Sequence, residues 1–195
     1  MTDVTRGPAD ASKFFNRATL IQAILPAALV LMVLGFTIVE PRVLSADNLV
    51  NISIQASYLA IFATAQMVVI LTRGFDLSLG TTVSVVSVTS ALVMTGMAGA
   101  DGETVGSAIF LGILMGLAVG VGVGLFNGFA VAWLRVNPFV ATLGSLNIAL
   151  GIATMASDGR PVFNVPDQFS TLVYSGTVAG IQVPIVLAAI VLVVI

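Results

Sequence analysis

The chain lacks cysteine and histidine altogether, and its one lysine is Lys13. Without cysteine there are no disulfides, no thiolate nucleophile and no Cys-based zinc or iron–sulfur site. Without histidine the commonest metal ligand and the commonest general base are gone. A lone lysine outside any glycine-rich loop excludes a phosphate-cradling P-loop. Charge is scarce as well: seven basic and nine acidic residues, 8% of the chain, where a soluble domain carries roughly a quarter. The net charge of −2 with no basic cluster excludes nucleic acid as a partner.

What fills the chain instead is apolar. Of 195 residues 58% are hydrophobic, and the mean hydropathy is +1.12. Charges are separated by long gaps: 22 residues between Arg17 and Glu40, 25 between Asp47 and Arg73, and 24 between Asp76 and Asp101. A further 31 lie between Glu103 and Arg135, and 22 between Arg135 and Asp158. About 20 apolar residues in a helix rising 1.5 Å per residue cross a hydrocarbon core. Lipid leaves an unpaired backbone no alternative to helix here, because the alternating ten-residue segments of a barrel are missing. The expected fold is all-α, a polytopic transmembrane bundle with spans near Thr19–Val39, Ile52–Thr72, Leu79–Met97, Ser107–Leu134 and Phe139–Ala156. Residues 1–17 are expected to form a cytoplasmic N-terminal tail, and 18–195 a transmembrane domain incomplete at its C-terminus. The latter expectation rests on a sixth apolar run that starts at Val183 and reaches only 13 residues, too few to span.

Arg6, Lys13 and Arg17 precede the first span and favour a cytoplasmic N-terminus. Counting loops alternately, Arg73 and Arg135 join them inside, against Arg42 and Arg160 outside. Asp101 and the long connection 157–182 then fall outside, and that connection is the expected docking surface on its face.

The fourth span carries Gly112, Gly116, Gly120, Gly124 and Gly128 at every fourth position. That spacing forms one helical stripe, over which a second helix packs closely. Between spans two and three, Arg73-Gly-Phe-Asp-Leu-Ser-Leu-Gly80 breaks the apolar pattern. Asp76 or Ser78 can cap the helix that follows, and Arg73 reads as an interfacial anchor. Gln55, Gln66, Asp76, Asn127, Thr142 and Asn147 are the candidate lining of a polar path. Each of the uncharged ones serves equally as hydrogen-bonded glue between helices. Amides and hydroxyls without fixed charge suit a neutral polyhydroxy solute.

Two stretches add a resemblance. Gly74-Phe-Asp-Leu-Ser-Leu-Gly80 resembles the GGIDLSVG-like signature of ribose-type ABC transporter permeases. Asn127-Gly-Phe-Ala-Val-Ala-Trp-Leu-Arg-Val-Asn-Pro-Phe-Val-Ala-Thr-Leu-Gly144, followed by Asp158-Gly-Arg-Pro161, is similar to another run of that family. Arg73 stands where the family usually has a small residue, Asn137 replaces the first of two prolines, and Leu150 stands where many members carry Arg. The resemblance implies a bacterial inner-membrane, multi-pass permease subunit for a monosaccharide or related polyol. Its implied partners are a second permease subunit, a cytoplasmic ATPase pair and a periplasmic solute-binding protein. No enzyme activity, metal or cofactor is expected of this subunit. The competing expectation is an ion-coupled secondary transporter of a small neutral solute, for which Asp76 is the single candidate carboxylate. A membrane-embedded enzyme is disfavoured, since there is no His, no Cys and no paired intramembrane carboxylate.

Overall fold

The computed structural model describes residues 17–98 and 104–195, with the backbone alone for 17–21. Arg6 and Lys13 of the tail and the loop residues Asp101 and Glu103 lie outside the described residues. Among the described residues five helices are long and apolar enough to cross a membrane: α1 (Arg17–Val39), α2 (Ala46–Leu71), α3 (Leu79–Met97), α4 (Val105–Gly128) and α5 (Pro138–Ala156). The fold is an all-α, multi-pass transmembrane bundle. Two compact units divide it, one ending at Ile52 and the other running from Ser53 to Ile195, with the boundary inside α2.

In the first unit α1 exposes its apolar residues all round; none of Gln22–Val39 is buried. Pro26 lies inside this helix, where it removes one backbone donor. A 3₁₀ turn, Pro41–Leu44, follows, capped by the Glu40 side chain, which accepts from the Arg42 N–H. Helix α2 then begins six residues earlier than hydropathy predicts. The Ser45 hydroxyl accepts the Asn48 N–H, and the Asn48 amide donates to the Val43 carbonyl at 2.8 Å. Polar side chains satisfy the first turn, so the helix starts before the apolar run does.

In the second unit α3 lies against both α4 and α5. Val85 of α3 and Ala149 and Ala153 of α5 form the buried core, with Val88, Val119 and Val123 packed against them. Small residues dominate because membrane helices gain by close backbone approach rather than by excluding water. Along the α3–α4 seam, a Cβ on Gly112 would run into the Met94 side chain, and one on Gly116 into Ser90. At Gly120 the nearest atom, Val86 Cγ2, is at an ordinary 3.6 Å, and at Gly124 and Gly128 nothing comes within 4 Å. The glycines thus step along α3 four residues at a time in the opposite direction, and the two helices run antiparallel.

Span four was expected to continue to Leu134. Its α-helical hydrogen bonding stops at Gly128, and Phe129–Trp133 is π-helical. The wider turn ends with Leu134 N–H bonded to the Phe129 carbonyl and Val136 N–H to the Ala130 carbonyl, around Arg135 at φ 55°. Connection 157–182 holds a single helical turn, α6 (Asp167–Ser170), a π turn (Thr171–Ser175) and a tight hairpin, β1 (Thr177–Val178) with β2 (Ile181–Gln182). Ala179 and Gly180 both have positive φ, the geometry of the two-residue hairpin turns that match strand twist. The apolar run at the C-terminus forms α7 (Val183–Val194).

Candidate functional site

The polar residues meet where α2 ends, α3 begins, α4 ends and α5 begins. Helix α2 stops in a Schellman turn: Gly74 N–H bonds the Val69 carbonyl at 3.0 Å and Arg73 N–H bonds the Ile70 carbonyl at 2.8 Å. The turn requires a left-handed residue next to last. Arg73 occupies it at φ 59°, a conformation in which a residue with a Cβ is strained by about 1–2 kcal/mol. Glycine adopts that conformation freely, which accounts for the small residue that the resemblance implies at this place.

Two residues on, Asp76 folds into an Asx turn. Its Oδ1 accepts the Ser78 N–H at 2.7 Å and the Ser78 hydroxyl at 2.6 Å. Ser78 is 1% exposed, and its hydroxyl also accepts from Asn127 Nδ2 at 2.8 Å across to α4. Its carbonyl receives the Thr82 N–H and the hydroxyls of Thr81 and Thr82. The capping role expected of "Asp76 or Ser78" is therefore divided. Asp76 fixes the turn ahead of the helix, while the Ser78 side chain ties α3 to α4 and accepts no N–H from the first turn of its own helix.

Helix α5 starts with the same device. Asn137 Oδ1 accepts the Phe139 N–H at 2.9 Å, and Pro138 occupies the first helical position. The proline that the resemblance implies at 137 has no side-chain acceptor, so Asn137 in its place supplies a cap. Thr142, 4% exposed, donates to the Pro138 carbonyl at 2.8 Å and lies 3.2 Å from the Phe75 carbonyl.

Between these elements lies a half-open cavity of about 270 Å³ lined by Asp76, Asn127, Thr142, Gly74, Gly124 and Gly128 among others. The open end of the glycine stripe is one of its walls, and the missing side chains of Gly124 and Gly128 leave it empty. Asn127 is 8% exposed, and its Oδ1 is buried with no partner among the described residues. Rotating the amide does not cure this. The Ser78 proton points to Asp76, so Ser78 Oγ needs a donor, and the amide nitrogen has to face it. A buried acceptor left unpaired costs about 1–3 kcal/mol. The second Asp76 oxygen also takes no hydrogen bond among the described residues, and the one ion pair there is Arg42 with Glu40.

Of the six residues predicted to line a path, Asp76, Asn127 and Thr142 come together. Gln55 and Gln66 lie on α2 and Asn147 on α5, away from this cavity; the Asn147 amide donates back to its own helix at the Leu143 carbonyl, 2.8 Å away. Sequence reasoning missed Ser78 as the bridge between Asp76 and Asn127. The glycine spacing contained the signal, because continuing the antiparallel step from Gly112 against Met94 brings the end of α4 opposite Ser78. The Phe75 carbonyl has no sequence signal. No group of His, Cys, Asp or Glu among the described residues could hold a metal ion. A second void of about 270 Å³ between α3, α4 and α5, lined by Val85, Val119, Phe126 and Ile148 with Thr89 and Ser145, is mostly apolar, and both hydroxyls already donate to carbonyls of their own helices.

Residues 48–195 match the family model described as branched-chain amino acid transport system / permease component. The ribose import permease protein of Haemophilus influenzae is 34% identical over 167 residues, 84% of this chain and 49% of its own. The galactose/methyl galactoside import permease protein of Escherichia coli is 35% identical over 138 residues, 68% of this chain and 41% of its own. The D-allose transport system permease protein of Escherichia coli is 29% identical over 148 residues, 76% of this chain and 43% of its own. The chain spans about half the length of the curated relatives it matches, or less. No solved structure matches it.

Proposed function

The chain belongs to the branched-chain amino acid transport system permease component family, and from that premise we propose that it forms part of the translocating subunit of a binding-protein-dependent ABC importer. Its solute is a monosaccharide or a related polyol. The observation that carries the reading is likeness to ribose and galactose import permeases over most of this chain, together with a cavity whose polar lining is hydroxyl, amide and one carboxylate. In this reading the subunit performs no chemistry: ATP is hydrolysed by a separate cytoplasmic ATPase pair, a periplasmic binding protein delivers solute, and a second permease subunit completes the pathway. The protein sits in the bacterial inner membrane with its N-terminus in the cytoplasm. Gln55, Gln66, Asp76, Asn127, Thr142 and Asn147 are the path candidates. Gly112 and Gly116 set how closely α3 and α4 approach, and Gly120, Gly124 and Gly128 continue the same stripe.

Reconstitution tests this. The complete permease, assembled in proteoliposomes with its ATPase and binding protein, should accumulate radiolabelled ribose or galactose only with ATP on the ATPase side, and ionophores should leave uptake intact. Uptake that persists without ATP and collapses with the ion gradient would establish the ion-coupled alternative instead.

A further inference from the structure

Three observations converge on the cavity at the junction of α3, α4 and α5. Asn127 is more than nine-tenths buried, lines the cavity and has an acceptor oxygen with no partner. Ser78 joins it to Asp76, through contacts of 2.8 Å and 2.6 Å, and Asp76 keeps one oxygen without a hydrogen bond among the described residues. Beside them, a Cβ on Gly124 or Gly128 would meet nothing within 4 Å. We infer that this cavity is a binding subsite for hydroxyl groups of a small neutral polyol, with Asn127 Oδ1 accepting from one hydroxyl and the free oxygen of Asp76 from another. The inference rests on the importer reading for its solute class.

The chemistry follows from what is left unpaired. Both free groups are acceptors, so the missing partner is a donor. The hydroxyls of Ser78 and Thr142 already donate to Asp76 and Pro138, so they are spent as donors to a ligand. The two acceptors, linked through one serine, can each take a hydroxyl proton of a polyol, and a solute without O–H or N–H donors satisfies neither. The volume, about 270 Å³, lies just below the roughly 300 Å³ at which drug-sized pockets begin, which fits a ligand of single-sugar size. The glycine wall admits its apolar C–H face.

The chain has no cysteine, so engineered thiols report cleanly. In the complete permease, with any cysteine outside residues 1–195 replaced by serine, Gly124→Cys and Gly128→Cys place a thiol at the cavity. Gly151→Cys, also with nothing within 4 Å of its Cβ and outside the cavity lining, is the control. A small methanethiosulfonate should label all three. D-Ribose or D-galactose at about ten times its Kd should slow labelling of the cavity thiols about tenfold by mass action and leave Gly151→Cys unchanged. Glycine betaine, which has no hydroxyl, should protect none of them. Adding Asn127→Ser should abolish the protection. Unchanged labelling with sugar, equal protection by betaine, or protection that survives Asn127→Ser would each overturn the subsite. If Asn127→Ser does not fold, the sugar-against-betaine comparison in the single-cysteine proteins still decides. ATP-driven uptake by the unsubstituted transporter is scored separately: its absence with protection retained removes the importer reading, and its presence without protection removes the subsite.

Discussion

Asn137 shows what one departure from a related pattern does to a helix start. Its side chain accepts the Phe139 N–H at 2.9 Å, one of the four amide groups that a helix leaves unpaired at its N-terminus. Asn137→Ala should therefore lower stability by about 1 kcal/mol, read as a lower midpoint in thermal unfolding in detergent, and Asn137→Asp should hold it. Asp76 supports a parallel test. Asn keeps the oxygen that receives the Ser78 N–H and hydroxyl, so Asp76→Asn should leave the unfolding midpoint in place. Asp76→Ala removes both bonds of the turn and frees Ser78, and should cost about 1–3 kcal/mol. An equal loss for Asn and Ala would mean that the charge, rather than the turn, holds this corner.

At the scale of the element, the glycine stripe is one pattern with two outcomes. Gly112 and Gly116 are filled from outside by Met94 and Ser90, whereas Gly124 and Gly128 face open space. Gly112→Ala should cost about 1–3 kcal/mol through overpacking. Gly124→Ala meets no neighbour and should be neutral or gain up to about 1 kcal/mol from better helix propensity. Folded yield and unfolding midpoint after extraction should separate the two, and equal behaviour would refute the difference along the seam. The stripe itself was legible in the sequence, since spacing of four needs no tertiary knowledge. Where the seam closes was not, because that depends on Met94, Ser90 and Val86 of another helix.

Across the whole molecule, the five spans were legible because hydropathy is a property of consecutive residues; α3 runs from Leu79 to Met97, as the charge gaps indicate. Boundaries set by polar side chains were less so. Ser45 and Asn48 start α2 at Ala46 rather than at Ile52, and a π turn replaces the last turn of span four. The site was half legible. Asp76, Asn127 and Thr142 are polar residues in apolar surroundings, but so are Gln55, Gln66 and Asn147, and only the pairing of helices distinguishes the two sets. Orientation in the membrane follows from loop charge: the proposed topology has the tail inside and the 157–182 connection outside. In intact cells a membrane-impermeant thiol reagent should label Gly102→Cys and spare Ser12→Cys. The opposite labelling would invert the molecule.

The seam between α3 and α4 has a mechanical consequence. It is pinned at Gly112 by side-chain packing and tied at its far end by the 2.8 Å contact between Asn127 and Ser78. Those two points on α4 are about 22 Å apart along the axis at 1.5 Å per residue, so each degree of tilt about the pinned end moves Asn127 by about 0.4 Å. A hydrogen bond of this kind is lost once the heavy atoms separate beyond about 3.5 Å, that is, after a tilt of about two degrees. The Ser78–Asn127 tie is thus an angular gauge: it reads a rotation too small to disturb the packing at Gly112 as the making or breaking of a single bond.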